Sequence, residues 1–310
     1  VPKFSVVISV YNKERYIANT LKSVLSQTVS DIEVVVLNDG STDGSEAVIK
    51  SFLLDERIRY FSKPNRGAGA ARNYVIQKAD ADYIALLDAD DVWAPDYLEE
   101  QLRLIEKYPQ HSVFATNSQL YQRGRILKRD YSIPIDHTSD LVVNFFSASY
   151  IHSIVNSSSC VVHRSVFETV GLYNPSIKSG QDTDLFIRMG LQYSVVFSPK
   201  ICVTVIRNAN SLSQRTKTLA EKASFEAYED TEKTHPALKK FLDLNRYSLC
   251  LLAKMGGDVD GFLNLARKIN LNNLNKKQRF LLKQPSPYLR YLFKMKEGLD
   301  SIGLRLTAFK

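Results

Sequence analysis

Tyr83-Ile84-Ala85-Leu86-Leu87-Asp88-Ala89-Asp90-Asp91, with Asp82 just before it, is the stretch on which the fold turns. The apolar run is short and is cut off by charge, the pattern of a buried strand. Alternate side chains of a strand share a face, so an exit through Asp-Ala-Asp aims Asp88 and Asp90 the same way. Two such carboxylates suit a hard divalent ion, Mg2+ or Mn2+, and that ion can neutralise a diphosphate. Asp-x-Asp is also common in acidic, solvated loops, and here it precedes the helix expected after Pro95. Its meaning rests on its surroundings.

Working outward, strand and helix signals alternate. Phe4–Val10, Ile32–Leu37, Arg57–Ser62 and Tyr83–Leu87 read as strands. Arg15–Gln27 carries Ile17, Leu21, Val24 and Leu25 at helical spacing, Ser45–Leu54 reads as a second helix, and Gly67–Lys78 as a glycine-led third. This order predicts an α/β fold with a mostly parallel, Rossmann-like sheet. In such sheets ligands sit beyond the carboxyl ends of the strands. Three polar clusters fall there: Tyr11-Asn12, Asp39-Gly40-Ser41 and Asp88 to Asp91.

Beyond Pro109 the pattern is mixed. A hairpin is expected around Arg123-Gly124, a strand over Asn156–His163 and a short helix over Ser165–Val170. From about Leu219 the pattern is helical to the end, with breaks at His235-Pro236, Gly256-Gly257 and Gln284-Pro285-Ser286-Pro287. The expected organisation is a catalytic domain over 1–215, halved at 110/111, and a helical basic region over 216–310.

The composition excludes several classes. Hydrophobic content of 44% and charged content of 24% describe an ordinary globular chain. No apolar stretch is long enough to span a membrane, and no signal peptide is expected. Cys160, Cys202 and Cys250 are far apart, which argues against structural zinc or a disulfide framework and for a reducing, cytoplasmic location. The net charge of +8 is concentrated: Gly261 to Lys310 carries eleven Lys/Arg against Glu297 and Asp300, leaving residues 1–260 near neutral. A basic tail suggests an anionic surface as partner. With Phe280-Leu281-Leu282, Tyr288-Leu289 and Tyr291-Leu292-Phe293 interleaved, peripheral attachment at the inner face of a membrane is the expectation. The alternative packs those aromatics on the catalytic domain or on a second subunit. No nucleic-acid motif is present, so nucleic acid is not expected as a partner.

Five segments together resemble a known family: Phe4–Asn12, Ser23–Gln27, Asn38–Asp43, Asn65–Asn73 and Leu87–Asp91 are similar to the motifs of family 2 glycosyltransferases with the GT-A fold, over roughly residues 3–215. The resemblance implies a nucleotide-sugar donor, a divalent metal and transfer with inversion at the anomeric carbon. It places Ser9 and Tyr11 beside the nucleotide base, Asp39 as acceptor of a base N–H, Arg72 near base or diphosphate, Asp88 on ribose or sugar, and Asp90 on the metal. Each has a plainer role open to it: packing for Tyr11, turn formation for Asp39, a solvated helix position for Arg72. The donor nucleotide is ranked UDP first, dTDP second and GDP third.

Gly180-Gln181-Asp182-Thr183-Asp184-Leu185 resembles the family's Gly-Glu-Asp-x-Asp-Leu motif, which makes Asp182 the general base, with N-cap of the following helix as its plainer role. Gln181 stands where Glu is common, leaving an amide rather than a charge for an acceptor hydroxyl. In Val205 to Ser213, aligning the final Ser-Leu-Ser places Asn208 where many members carry a metal-binding His, and a shift by one residue places Arg207 or Ala209 there instead. The acceptor implied is a saccharide or a lipid-linked one. His152 and His163 are expected to be structural. Two rival readings are a nucleotidyltransferase and a non-catalytic descendant that binds nucleotide or glycan. The first lacks its glycine-rich loop after the first strand, where Tyr11-Asn12-Lys13-Glu14-Arg15 stands instead; the second would lack the acidic residues present here.

Overall fold

The computed structural model describes residues 2–136, 138–207, 216, 218–302 and 307–309. Its first hundred residues follow the alternation seen in the sequence. Strands β1 (Phe4–Val10), β2 (Ile32–Asp39), β3 (Ile58–Lys63) and β4 (Tyr83–Asp88) alternate with helices α1 (Ile17–Leu25), α2 (Ser45–Lys50) and α3 (Ala68–Lys78). They form the parallel block β3-β2-β1-β4. Both faces of this block are covered, so its strands are apolar at successive positions instead of alternating with polar ones. Val7, Val35, Leu37 and Leu86 face one core, under α3; Phe4, Val6, Ile8, Val34 and Val36 face the other, under α1.

Past a two-residue strand β5 (Val92–Trp93) and helix α4 (Tyr97–Lys107), the pairing becomes mixed. Strand β6 (Val113–Gln122) turns through Arg123 and Gly124, both at positive φ, into β7 (Arg125–Lys128), which is the expected hairpin. Strand β8 (Leu141–Val143) and helix α5 (Phe145–Ala148) follow. Strand β9 is shorter than expected, Cys160–His163, because Ser157–Ser159 form one 3-10 turn ahead of it. It runs antiparallel between β4 and β6 and joins the two halves of the sheet. Helices α6 (Arg164–Val170) and α7 (Gln181–Gln192) precede β10 (Val195–Ile206), which lies parallel to β6 with register shifts around Pro199. Proline cannot donate to the ladder, so it sits where the register breaks.

The carboxyl-terminal region is helical: α8 (Pro236–Gly256), α9 (Val259–Lys268), α10 (Lys276–Lys283) and α11 (Ser286–Ile302). It is not a detached tail. Leu238, Phe241 and Leu242 of α8 enter the catalytic core beside Phe145 and Phe146. On its other side α8 supports a third cluster, where Leu244, Tyr247 and Leu251 meet Ile269, Leu274, Leu282 and Leu289. The clusters named from sequence therefore split. Leu282 and Leu289 are buried, whereas Phe280, Tyr288 and Tyr291 are exposed. No helix among the described residues is long and apolar enough to cross a membrane.

Candidate active site

The parallel register sets the site. Ser9 lies between Leu37 on β2 and Asp88 on β4, and Val10 is level with Asn38. Tyr11 and Asp39 are thus the next residues past the same edge, with Asp88 one strand away. Tyr11 is 43% exposed, so it does not act as packing. Asn12 has φ of 53°, a left-handed conformation that asparagine tolerates. Its side-chain oxygen accepts from the Thr42 amide at 2.8 Å, and this ties the loop after β1 to the loop after β2.

Asp39 is buried and accepts from the Arg66 amide at 3.1 Å. Burial raises its pKa, and the amides of Arg66 and Gly67 oppose the rise. A buried carboxylate at a ligand edge is more than a turn former. The neighbouring Gly40 has φ of 69°, and a Cβ there would lie 2.6 Å from the Asn65 amide nitrogen, so this turn requires glycine.

Arg72 on α3 joins the acidic groups. One of its nitrogens donates to Asp88 Oδ1 at 2.6 Å, and the other stands 3.6 Å from Asp182 Oδ1. Burial disfavours the guanidinium charge, but Asp182 and Asp88 more than offset this and hold Arg72 firmly protonated. Its Nη1 is buried without a hydrogen-bond partner among the described residues. It stands over the ring of Tyr173, 5.4 Å from the centroid. It is not a solvated helix residue.

Asp182 lies in the first turn of α7, behind Gly180, which caps the helix at φ of 91°. The aspartate makes no capping bond, so the plainer role open to it in the sequence is not the one it has. Its carboxylate accepts from Ser157 Oγ at 3.0 Å. Burial pushes its pKa up; Arg72 pulls it down, Asp88 adds to the rise, and Ser157 opposes it. A raised carboxylate is suited to taking a proton. Gln181, by contrast, is only 3% exposed and does not face the cleft, which withdraws it from the acceptor contact expected in the sequence; Asp182 and Thr183 face the cleft instead.

Around the acidic exit, each carboxylate has a different environment. Asp90 pairs with Lys13 from the loop after β1. Asp91 is fully enclosed: its oxygens accept from Ser158 Oγ and, at 2.9 Å, from the Ile206 amide. Burial, then the charges of Asp88 and Asp90, push its pKa well up. Ser158 Oγ also accepts from the Asp88 amide at 3.1 Å. Ser157, Ser158, Lys13 and Asp91 were given no role in the sequence reading. The only trace of the serines is four polar residues in a row, Asn156–Ser159, directly before an apolar strand.

A closed metal cage is absent among the described residues. Mg2+ or Mn2+ is commonly held by one or two carboxylates and completed by substrate phosphates, and Asp88 and Asp90 are the residues that would hold it. Asp90 already faces a cationic group, and Asp88 and Asp90 are within two residues of each other. Arg72, paired with Asp88 and Asp182, puts a positive charge beside them, and its Nη1 keeps hydrogen-bonding capacity. Asn208 lies outside the described residues. His152 and His163 have structural partners, the Asp130 backbone and Ser165.

Asp88 and Asp182 line a cleft of about 370 Å3, to which α8 also contributes. The lining takes Phe241, Leu244, Asn245 and Ser248 from the carboxyl-terminal region, which the sequence reading left outside the catalytic domain.

Known proteins resemble this chain in sequence and in fold. An uncharacterized glycosyltransferase of Rickettsia felis is 29% identical over 193 residues, covering 61% of this chain and 31% of that one. The putative teichuronic acid biosynthesis glycosyltransferase TuaG of Bacillus subtilis is 28% identical over 236 residues, covering 76% and 90%. The chain spans 29% to 63% of the length of the first four Rickettsia relatives. Among solved structures, S. aureus TarS 1–349 in complex with UDP-GlcNAc superposes with a TM-score of 0.64 at 17% identity, covering 93% of this chain and 87% of that one. A mannosyltransferase from Pyrobaculum calidifontis in complex with GDP-Man and Mn2+ gives 0.53 at 15%, covering 97% and 87%. The architecture is therefore GT-A, a mostly parallel mixed sheet with flanking helices and a helical carboxyl-terminal region. The model of Glycosyl transferase family 2 matches residues 5–171, more than half of the sequence, and the chain belongs to that family.

Proposed function

We propose that the chain transfers a sugar from a nucleoside-diphosphate sugar to a hydroxyl of a saccharide or lipid-linked acceptor, with inversion. The observation that carries this is the pairing of Arg72 with both Asp88 and Asp182, two carboxylates that line one cleft. Asp182 takes the proton of the acceptor hydroxyl as its oxygen forms the new bond to the anomeric carbon. The bond from that carbon to the diphosphate oxygen breaks on the opposite side, and the diphosphate leaves with the electron pair. Arg72 and Lys13 offer positive charge where the leaving group gains negative charge. A divalent ion held by Asp90 would supply further compensation. Asp39 accepts the imide N–H of uracil, or of thymine, and this favours UDP; the complex of TarS with UDP-GlcNAc supports the same ranking.

The test is Asp182→Asn. Transfer falls by two to four orders of magnitude, the scale of a general base, while UDP affinity by calorimetry stays near wild type. Loss of donor affinity would make Asp182 a donor-site or structural residue. A panel of nucleotide sugars, read by released nucleoside diphosphate, names the donor. The nucleotidyltransferase rival predicts pyrophosphate release instead, and a binding module predicts no turnover.

We propose also that α10 and α11 rest on an anionic membrane surface. Exposed Phe280, Tyr288 and Tyr291 stand among Lys276, Lys283, Arg290 and Lys294. Each cation near anionic lipid contributes about 1 kcal/mol. Replacing Lys276, Lys283 and Lys294 by Glu in the full chain should abolish co-sedimentation with vesicles rich in phosphatidylserine. Equal sedimentation of both proteins would refute it.

A further inference from the structure

The cleft in front of Asp182 carries more chemistry than the transfer reaction needs. Its described lining contains two carboxylates and no Lys, Arg or His. The cation beside those carboxylates, Arg72, is not part of the lining and is engaged by Asp88 and Asp182. No residue of the described lining carries a positive charge; Lys240 stands behind it, over the Tyr150 ring.

The neutral polar groups sharpen this. Asn245 donates to the Phe241 carbonyl at 2.8 Å, Ser248 to the Leu244 carbonyl at 3.3 Å and Ser153 to the Val155 carbonyl at 2.6 Å. Ser157 donates to Asp182, and Asn156 to Ser118 Oγ at 3.2 Å. These donors are directed at the protein. Toward the cleft these leave the carboxylates, the amide oxygen of Asn245, and the hydroxyls of Ser149 and Thr183, which can both donate and accept. Phosphate and carboxylate groups only accept. A hydroxyl-rich ligand both donates and accepts, and its ring faces suit Phe145, Phe186 and Phe241, which line the same space.

We infer that the acceptor enters as an uncharged saccharide unit, held by acceptor atoms on α8, and that units bearing uronate or phosphate are disfavoured. This rests on the transfer reading above and adds the class of its acceptor. The carboxyl-terminal region would then set acceptor choice, with Asn245 and Ser248 as its specificity residues.

The experiment uses the full chain and whichever nucleotide sugar it hydrolyses in the absence of acceptor. Matched aryl glycosides are offered as pairs: glucoside against glucuronide, and N-acetylglucosaminide against its 6-phosphate. The neutral member of each pair should show kcat/KM at least tenfold higher. Asn245→Leu and Ser248→Val should each raise KM for the neutral acceptor at least fivefold, with calorimetric UDP affinity and thermal melting followed alongside. No preference for the neutral member, or a preference for the acidic one, overturns the inference. Unchanged acceptor KM in both variants overturns the role of α8. If no nucleotide sugar is bound or hydrolysed, the transfer reading fails instead, which is a separate result.

Discussion

Ser158→Ala should show how the acidic exit of β4 is held. The Ser158 hydroxyl is fully buried and does two things. It donates to Asp91 and accepts from the Asp88 amide at 3.1 Å. Alanine leaves a buried carboxylate and a buried N–H without these partners. Each orphaned group costs about 1–3 kcal/mol, with the larger figure for the charged one. The pair should therefore lower stability by about 2–4 kcal/mol, since Asp91 keeps the Ile206 amide. The pH dependence has a definite sign. Burial, then Asp88 and Asp90, already raise the Asp91 pKa in the folded protein, and Ser158 opposes that rise. A folded-state pKa above the unfolded value means that ionisation of this group destabilises the fold as pH rises. Losing Ser158 raises the pKa further, so on scanning pH upward from 5 the gap between variant and wild type should hold steady while Asp91 stays protonated in both folded proteins and should widen once the wild-type group ionises. Urea denaturation across that range is the assay. A gap below about 0.5 kcal/mol, the scale of an ordinary surface substitution, or one that narrows with pH, would refute the reasoning.

Other substitutions probe neighbouring steps. Ser157→Ala removes the bond to Asp182, a group partly open to the cleft, and a contact with the Tyr173 hydroxyl, so stability should fall by about 0.5–1.5 kcal/mol; kcat should drop while donor KM holds, and a parallel rise in donor KM would contradict this. Asp39→Ala should weaken UDP binding by about 1.5–3 kcal/mol, measured by calorimetry, and tighter wild-type binding of GDP than of UDP would argue against the uracil contact. Gly190→Ala would put a Cβ 2.8 Å from the Phe145 ring; about 1–3 kcal/mol of stability should be lost to overpacking, and an unchanged melting temperature would show that Phe145 moves freely. Asp90→Ala should reduce turnover at least a hundredfold, and full activity of wild type in EDTA would remove the metal from the scheme.

The amino-terminal half was legible because its physics is repetitive. Strands buried on both faces give short apolar runs, and helices covering them give Ile17, Leu21 and Val24 at one spacing. Only the ends moved: α1 is Ile17–Leu25 where Arg15–Gln27 was expected, and β2 runs on to Asp39. Beyond Pro109 the signals are local exceptions. Strand β10 carries Pro199 and two register shifts, so its twelve residues do not read as one strand. The serine turn before β9 was absorbed into the strand. Of the residues the motifs supplied, Arg72, Asp88 and Asp182 stand together, and those chosen only by geometry did not announce themselves. A buried serine holding a carboxylate has no periodicity, and Lys13 looks like any loop lysine until Asp90 is beside it. Gln181 erred in the opposite direction: its motif position suggested contact, but the first turn of α7 points it inward.

The boundary drawn near residue 215 marks a change of pattern more than a division of labour. Helix α8 begins with Pro236, and its first two turns place Leu238, Phe241 and Leu242 against Phe145 and Phe146 of the catalytic core. Its next turns carry Arg246, fully buried between Glu232 and Asp243, with nitrogen–oxygen distances of 2.6 and 3.5 Å. Such a group can hold the helix in one rotation, because turning it would bury a charge without its partners. That rotation is also what presents Asn245 and Ser248 to the cleft. A chain ended at Asp260 would strip Ile269, Leu274, Leu282 and Leu289 from Leu244, Tyr247 and Leu251, so its behaviour would report on lost packing as much as on lost charge. The sharper perturbation is Arg246→Ala in the whole protein. It should cost about 3–5 kcal/mol and should raise acceptor KM in the protein that remains folded, with donor affinity unaltered. Stability lost without any change in acceptor KM would mean that the ionic cluster supports the helix but does not orient it.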